Sequence, residues 1–246
     1  MAEQRVYAVI GATGGIGAEV CRLLAGDGAQ LVVGSRREDE VNQLAQRYGA
    51  HAHPLDATDF DQVQNLVKTT KKAYGRLDGI VNCVGSILLK PAHLTSVEEF
   101  QETVALNLNT AFYTVKAATR AMMKTGGSIV LCSSAVARTG LNNHEAIAAA
   151  KAGVVGLTKS AAASYANRNI RVNGVAPGLV ETPLSHRILS TDAGRSQSES
   201  MHALGRVGQP FDVAVAIRWL LDPTQSGWVT GQVIGVDGGL GTLRPR

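Results

Sequence analysis

The chain has 246 residues and a mass of 25.8 kDa, and 45% of its residues are hydrophobic, 18% charged and 4% aromatic. This apolar fraction excludes a disordered chain, and the 27 glycines and 7 prolines together stay below the range of low-complexity sequences. The net charge of +4 comes from scattered basic residues, which do not form the stripe that nucleic-acid binding requires.

The sequence also lacks the features of membrane and exported proteins. Every apolar run ends well before the ~18 residues that a membrane span needs, and the N-terminus has no apolar signal region. The three cysteines, Cys21, Cys83 and Cys132, are widely spaced in apolar contexts without a nearby histidine pair, which argues against a disulfide framework and a zinc site. We therefore expect a cytoplasmic protein that binds neither membrane nor metal, with cysteines that act as small buried hydrophobes.

Short β-branched runs alternate with longer amphipathic stretches along the chain. Strands are predicted at residues 6–10, 30–34, 51–55, 77–82, 128–133, 170–175 and 233–236. Helices are predicted at about residues 15–27, 38–48, 59–74, 97–123, 145–166 and 210–221. This alternation is typical of βαβ units with a parallel sheet, and we expect a single domain over residues 1–246. The polar segment 183–202 departs from the alternation, and its length favours a lid or binding loop over an ordinary surface connection.

A glycine-rich turn lies between the first predicted strand and the first predicted helix. It has glycine at positions 11, 15 and 17. Glycines allow the backbone to approach a pyrophosphate closely, and the N–H groups and dipole of the following helix attract the anion. Because a strand before the turn and a helix after it are the context that such a motif requires, we predict a dinucleotide-binding site here.

Beginning with this turn, motifs along nearly the whole chain resemble those of the short-chain dehydrogenases/reductases, in the pattern of their 3-oxoacyl-acyl-carrier-protein reductases. The matching residues are Gly11, Gly15, Ile16 and Gly17, then Leu77-Asp78, Asn82 to Gly85, Asn107, Ser133-Ser134, Lys151, Asn173 to Gly178, Arg206, Gly208, Pro210, Asp212, Thr230-Gly231 and Asp237 to Gly239. Cys83 and Val84 depart from the family's usual Asn and Ala, and Ile10 stands where the family often has Thr.

The resemblance implies an α/β protein with a Rossmann-type doubly wound fold, in which a seven-stranded, mostly parallel sheet carries helices on both faces. It also implies hydride transfer between a nicotinamide dinucleotide and the carbonyl or alcohol carbon of a small-molecule substrate. The predicted cofactor-binding residues are Gly11, Thr13, Gly15, Ile16, Gly17, Ser35, Arg36, Arg37, Asp56, Asn82, Gly85, Lys151, Pro177, Gly178, Val180 and Thr182. Two of them have a simpler structural explanation as well, since Asp56 is a candidate turn residue and Thr182 a candidate N-cap before Pro183.

The end of the second predicted strand favours NADP(H) over NAD(H). NAD-selective sites of this type carry a carboxylate there, which hydrogen-bonds to the ribose hydroxyl. Here Ser35 takes that position and is followed by Arg36 and Arg37. A hydroxyl and a guanidinium fork suit a 2′-phosphate. The alternative is that both arginines are solvated loop charges.

The proton donor that the family uses is missing from this chain. The family places a tyrosine four residues before its lysine, on the same helix face. Ile147 occupies that position, four residues before Lys151 and thirteen after Ser134. In the family the serine orients the substrate oxygen, the lysine lowers the pKa of the tyrosine and holds the ribose, and an asparagine, here Asn107, supports a proton-relay water. Because isoleucine has no ionisable proton, we expect the usual carbonyl reduction to lose a contribution of about 10²–10⁴-fold.

Three interpretations of this replacement remain open. In the first, His144 supplies the proton. It lies seven residues before Lys151, the spacing at which the enoyl reductases of the family carry their tyrosine, although it is equally well explained as a solvated residue at a helix start. In the second, conjugate hydride addition takes its proton from solvent or from a water held by Asn107. In the third, the chain binds NADP(H) without catalysis and acts as a scaffold or sensor.

The resemblance further implies a homotetramer in which the helices at 97–123 and 145–166 pair across a two-fold axis. Small residues along the second helix permit the close approach that such pairing requires. The segment 183–202 carries no diagnostic charge pattern, so it does not identify the substrate.

Overall fold

Seven strands form one sheet in the computed structural model, which describes residues 4–243. The strands are β1 (Val6–Ile10), β2 (Gln30–Gly34), β3 (His51–Ala52), β4 (Gly79–Asn82), β5 (Gly127–Cys132), β6 (Ile170–Pro177) and β7 (Val233–Val236). Their order is β3-β2-β1-β4-β5-β6-β7, and every neighbouring pair is parallel. The predicted doubly wound sheet is confirmed. Four strands differ from their predicted bounds. β3 ends at Ala52, β4 begins only at Gly79, β5 runs from Gly127 to Cys132, and β6 continues to Pro177.

Helices cover both faces of the sheet. The long ones are α1 (Gly15–Gly26), α2 (Glu38–Tyr48), α3 (Phe60–Tyr74), α4 (Val97–Val104), α5 (Thr110–Met122), α6 (Glu145–Tyr165), α8 (Asp192–Met201) and α9 (Pro210–Leu221), with the short α7 (His186–Leu189) and α10 (Pro223–Ser226) between and after them. One apolar cluster joins the sheet to α3, α5 and α6, and a second joins it to α1, α2 and α9. Both faces of the central strands are therefore buried, which explains why β1 reads as an uninterrupted apolar run.

The predicted helix at 97–123 is interrupted. Between α4 and α5 lies a π-helical turn at Ala105–Asn109, in which the Thr110 N–H donates to the Ala105 carbonyl. The side-chain amide of Asn107 is drawn toward the protein interior, where it donates to the Thr103 carbonyl. A single π-turn inside an α-helix is frequently found at a functional site, because it redirects a side chain without ending the helix.

The strand order reverses next to β1, whose neighbours are β2 on one side and β4 on the other. In sheets of this type, ligands bind at the carboxyl ends of the strands beside such a reversal. At the amino ends of β1 and β4, the Asp78 carboxylate accepts hydrogen bonds from the Val6 N–H (2.8 Å) and from the Arg76 guanidinium (2.7 Å). This contact explains why the chain carries an aspartate just before β4.

The segment 183–202 contains a 3₁₀ turn (Pro183–Ser185) followed by α7 and α8.

Within residues 4–243, no helix is long and apolar enough to cross a membrane. The same residues include no group of three or more His, Cys, Asp or Glu side chains placed to hold a metal ion.

Candidate active site

The glycine turn leaves room for a phosphate at the start of α1. Gly11 has a φ of +77°, and a Cβ there would lie 2.9 Å from the carbonyl carbon of Cys83. A Cβ on Gly17 would lie 2.2 Å from the Gly11 oxygen. The N-cap of α1 is Gly14, which contributes no side-chain cap, so the N–H groups of the first turn have no side-chain acceptor at that position. The open turn and the uncapped helix start fit the pyrophosphate of a dinucleotide.

The end of β2 lies beside this turn. The Ser35 hydroxyl accepts a hydrogen bond from the Thr13 N–H at 3.2 Å and thereby joins the two segments. Arg37 forms an ion pair with Glu40 at 2.7 Å, and its side chain is 73% exposed. Arg36 is also exposed. Because Glu40 already engages Arg37, Arg36 is the better placed of the two arginines to receive a 2′-phosphate.

Asp56 and Asn82 both use side-chain atoms to shape the strand ends. One oxygen of Asp56 accepts from the Thr58 N–H (2.9 Å) and hydroxyl (2.7 Å), which is the turn role that the sequence allowed. The buried Asn82 donates to the Thr114 hydroxyl and accepts from the Val84 N–H at 2.8 Å. Asn82 therefore fixes the backbone that leads into Gly85, and direct contacts of both residues with a cofactor stay predictions.

Lys151 and Asn107 converge on Gly85. The Lys151 side chain is only 6% exposed, and its Nζ donates to the Cys132 carbonyl at 2.8 Å. A Cβ on Gly85 would lie 3.0 Å from Asn107 Oδ1 and 3.4 Å from Lys151 Nζ, so glycine allows the two side chains to approach. Burial lowers the pKa of Lys151 below its ordinary value, since the charged form loses hydration.

The Asn107 side chain is fully engaged by its neighbours. Its Oδ1 accepts from the Ser86 N–H at 3.1 Å, and its Nδ2 donates to the Ser86 hydroxyl at 2.8 Å and to the Thr103 carbonyl at 2.9 Å. Ser86 is therefore a site residue that the sequence reasoning missed. No spacing rule pointed to it, because its partner lies 21 residues away along the chain.

Two consecutive serines at the end of β5 have different tasks. The buried Ser133 hydroxyl donates to the Lys151 carbonyl at 2.9 Å and joins β5 to α6. The Ser134 hydroxyl accepts from the Val136 N–H at 3.3 Å, so its own hydrogen remains available to a ligand. The structure therefore separates an anchoring serine from the predicted catalytic serine.

Ile147 lies in α6 one turn before Lys151, and its side chain is only 5% exposed. His144 is the N-cap residue of α6, and its Nδ1 contacts the Asn142 carbonyl at 2.7 Å. A carbonyl accepts a hydrogen bond, so Nδ1 carries a hydrogen and Nε2 remains for another partner. Ser134, Lys151, Asn107, His144 and Ile147 all line one cavity of about 410 Å³.

The carboxyl end of β6 contributes Pro177 to the cavity lining. Pro177 ends the strand, and the buried Val180 forms a bridge with Gly208. Thr182 caps the 3₁₀ turn through a capping box with Ser185, as its position before Pro183 suggested. A Cβ on Gly15 would lie 2.6 Å from Thr182 Cγ2, so Thr182 packs against the glycine turn.

His202 is a second residue that the sequence reasoning missed. It is 3% exposed, and the Leu179 N–H donates to its Nε2 at 3.1 Å while its Nδ1 faces the Ser198 carbonyl at 2.7 Å. These partners require a neutral imidazole with its hydrogen on Nδ1. A Cβ on Gly178 would lie 2.5 Å from Nε2, so His202 packs directly on the strand end and holds α8 there.

Known proteins resemble the chain over almost its full length. A family model described as enoyl-(acyl carrier protein) reductase matches residues 11–241. The chain is 37% identical to the 3-oxoacyl-acyl-carrier-protein reductase of Thermotoga maritima, in an alignment that covers 97% of this chain and 98% of that protein. The chain belongs to the short-chain dehydrogenase/reductase family.

Solved structures of the family superpose closely on this short-chain dehydrogenase/reductase. One from Mycobacterium ulcerans has a TM-score of 0.94 and 32% identity, with 100% of this chain and 93% of that chain covered. Actinorhodin polyketide ketoreductase with NADPH has a TM-score of 0.92 and 29% identity, with 99% and 100% covered. The family and this NADPH-bound neighbour support a nicotinamide cofactor and an oxidoreductase activity.

Replacing Ser133 by alanine is expected to lower the free energy of unfolding of this short-chain dehydrogenase/reductase by about 1 kcal/mol, because a buried hydrogen bond between β5 and α6 is lost. Urea unfolding measures the change as a lower midpoint at unchanged slope. Ser200→Ala is the matched control, since the exposed Ser200 hydroxyl also donates to a backbone carbonyl and its loss should cost less than about 0.5 kcal/mol. Equal losses in the two variants would contradict the anchoring role.

Proposed function

We propose that this protein is an NADP(H)-dependent oxidoreductase that transfers a hydride between its cofactor and a carbonyl, alcohol or conjugated carbonyl substrate, with His144 as the proton donor. The observation that carries the proposal is the single cavity lined by Ser134, Lys151, Asn107 and His144, in which Ile147 takes the place of the family's tyrosine. A bound nicotinamide supplies or accepts the hydride.

The side chains of the cavity have complementary tasks in this proposal. Ser134 uses its hydroxyl hydrogen to orient the substrate oxygen, while the hydroxyl oxygen accepts from the Val136 N–H. His144 exchanges its proton through Nε2, since the Nδ1–H donates to the Asn142 carbonyl. It therefore donates as the doubly protonated imidazolium and is left as a neutral ring with its hydrogen on Nδ1. Lys151 donates one hydrogen to the Cys132 carbonyl and has two further donors for the ribose hydroxyls or for a substrate-linked water.

The cavity walls favour an uncharged, apolar substrate. Lys151 is the only residue of the type Asp, Glu, Lys or Arg among the described residues that line the cavity. Its ammonium donates a hydrogen bond to a backbone carbonyl. The apolar lining residues on the lid and opposite loops are Ile87, Leu89, Val136, Leu184, Ile188 and Met201. Burial of a charged group without a partner is costly, so a substrate with a charge near its reacting carbon would bind poorly.

NADP(H) is the proposed cofactor because the end of β2 carries no carboxylate. Ser35 lies against Thr13 of the phosphate turn, and the exposed Arg36 follows it immediately. A guanidinium and a hydroxyl complement a phosphate, whereas a carboxylate would repel it. The NADPH-bound ketoreductase of the same fold supports this assignment.

Arg36→Ala is expected to weaken NADPH binding by about 10–100-fold, which corresponds to the loss of one charge-assisted hydrogen bond. NADH binding should not change, since NADH lacks the 2′-phosphate. Isothermal titration with each cofactor measures both affinities, and Arg47→Ala provides the control because Arg47 is an exposed arginine at the far end of α2. Tighter binding of NADH than NADPH by the wild type would overturn the NADP(H) assignment.

A catalytically silent NADP(H)-binding protein is the second candidate. Ile147 favours it, because a buried aliphatic side chain at the tyrosine position removes the family's acid without replacing it at the same place. Lys151 is compatible with this candidate too, since a lysine that grips the ribose is useful for binding alone. Scaffolding or cofactor sensing would then be the biological role.

Turnover measurements distinguish the two candidates. NADPH oxidation is followed with ketone, enone and acyl-thioester panels for the wild type, His144→Ala, Ile147→Tyr and the control His93→Ala, in which an exposed histidine is removed. We expect wild-type turnover, a loss of about 10²–10⁴-fold in His144→Ala at unchanged NADPH affinity, and no loss in His93→Ala. Tight NADPH binding without wild-type turnover, together with activity gained only in Ile147→Tyr, would favour the silent protein. Undiminished turnover in His144→Ala would reject His144 as the donor.

The proposed assembly is a homotetramer, and two surface features support it. Most of the exposed residues along α6 are small, namely Ala149, Ala152, Gly156, Ser160, Ala163 and Ser164, beside the charged Glu145 and Lys159. Nearby, Val97, Phe100 and Phe112 on α4 and α5 are 64%, 44% and 50% exposed. Small residues allow helices of two copies to approach closely, and the exposed apolar residues lose contact with water on pairing.

Light scattering of the purified protein is expected to give four times the chain mass of 25.8 kDa. Ala152→Glu on the exposed face of α6 should shift that mass toward smaller species, because it places a bulky charge between paired helices. A monomeric mass for the wild type would reject the tetramer.

A further inference from the structure

Two thiols lie side by side at the carboxyl ends of β4 and β5. The register pairs Asn82 with Leu131, so the next residues on the two strands, Cys83 and Cys132, are direct neighbours. Residues paired across neighbouring strands place their side chains on the same face, and both cysteines pack against the same apolar cluster. Neighbouring strands lie about 4.8 Å apart, which is inside the Cα separation of about 4.4–6.8 Å that disulfides require.

Both cysteines belong to the lining of the candidate active-site cavity. Each is free and only partly buried. The third cysteine, Cys21, is fully buried in α1 and is not among the residues that line this cavity. Only the first two thiols therefore combine proximity to each other with a place in the cavity lining.

The surroundings make the two thiols unequal. A side-chain hydrogen bond with Cys132, together with burial, raises the pKa of Cys83 well above its ordinary value. The same hydrogen bond lowers the pKa of Cys132, against the opposing effect of burial, and the Lys151 ammonium acts in the same direction. Since the thiolate is the reactive form, Cys132 is the thiol that attacks first and Cys83 the one that follows.

We propose that Cys83 and Cys132 form an oxidant-sensitive dithiol site, which a peroxide converts to a disulfide that weakens NADP(H) binding. The second half of this proposal rests on the proposed cofactor site. We expect the disulfide to weaken cofactor binding because the backbones of both cysteines contact residues of that site. The Cys83 carbonyl carbon is the atom that a Cβ on Gly11 would meet at 2.9 Å, and the Cys132 carbonyl is the acceptor of Lys151 Nζ.

The peroxide is the only co-reactant that disulfide formation needs, because it accepts both electrons that the two thiols lose. The Cys132 thiolate attacks one peroxide oxygen, the O–O bond breaks, and the departing hydroxide takes up a proton to leave water and a sulfenic acid. The Cys83 sulfur then attacks the sulfenic sulfur, the S–O bond breaks, and the second oxygen leaves as water with the proton of the Cys83 thiol. Two thiols are oxidised to one disulfide and one peroxide is reduced to two waters.

Peptide mapping tests the dithiol site directly. The reduced full-length protein is treated with hydrogen peroxide, remaining thiols are blocked with N-ethylmaleimide, and the peptides are identified by mass spectrometry. We expect a Cys83–Cys132 disulfide that dithiothreitol removes, while Cys21 reacts with the maleimide only after unfolding. Cys21→Ser should leave the disulfide unchanged, whereas Cys132→Ser and Cys132→Ala should both prevent it. Separate sulfinic acids, or a disulfide that includes Cys21, would overturn the proposal.

Cofactor titration tests the consequence. Peroxide treatment should weaken NADPH binding at least tenfold in the wild type and in Cys21→Ser, with recovery after dithiothreitol. Cys83→Ala and Cys132→Ala, if they bind NADPH when reduced, should be insensitive. A mapped disulfide with unchanged NADPH affinity would overturn the coupling to the cofactor. If the reduced wild type binds no NADPH, the proposed function and the coupling are both overturned. The peptide mapping would still test whether Cys83 and Cys132 form a disulfide.

Discussion

Two reciprocal hydrogen bonds between α6 and the end of β5 hold the site together. The Ser133 hydroxyl donates to the Lys151 carbonyl, and the Lys151 ammonium donates to the Cys132 carbonyl. The first bond fixes the position of the helix and the second fixes the direction of its long side chain. Every other group of the site takes its place relative to this junction, including Ile147 one turn earlier on α6 and Gly85, whose missing side chain leaves space for the ammonium.

The junction places an ammonium in a setting with little opposing charge. Lys151 is almost fully buried, and among the described residues of the cavity lining it has no carboxylate beside it. Burial therefore lowers its pKa, and the nearby thiols act in the opposite direction. The Cys132 carbonyl, which accepts a hydrogen bond from the ammonium, stabilises the charge together with these thiols.

Most of the fold could be predicted from the sequence because its central strands are buried on both faces, so that a strand such as β1 reads as a continuous apolar run. Glycine positions located the phosphate turn, since the left-handed φ of Gly11 is a local property. The π-turn at Asn107 could not be predicted, because the apolar spacing around it is that of one continuous helix. His202 and Ser86 were missed for a related reason, as each has a partner distant along the chain. His202 accepts from the Leu179 N–H, and Ser86 contacts the side-chain amide of Asn107.

The two cysteines at the ends of β4 and β5 show that strand pairing can change the role expected of a residue. In the sequence they lie 49 positions apart in apolar surroundings and are typical small core residues. The sheet register makes them neighbours, and the same register brings the Cys132 carbonyl to Lys151 and the Cys83 backbone to Gly11. A change in either thiol is therefore transmitted through a short, rigid piece of backbone to both ends of the proposed cofactor site. The proposed coupling between the redox state of the thiols and the affinity for the cofactor therefore depends on the sheet register.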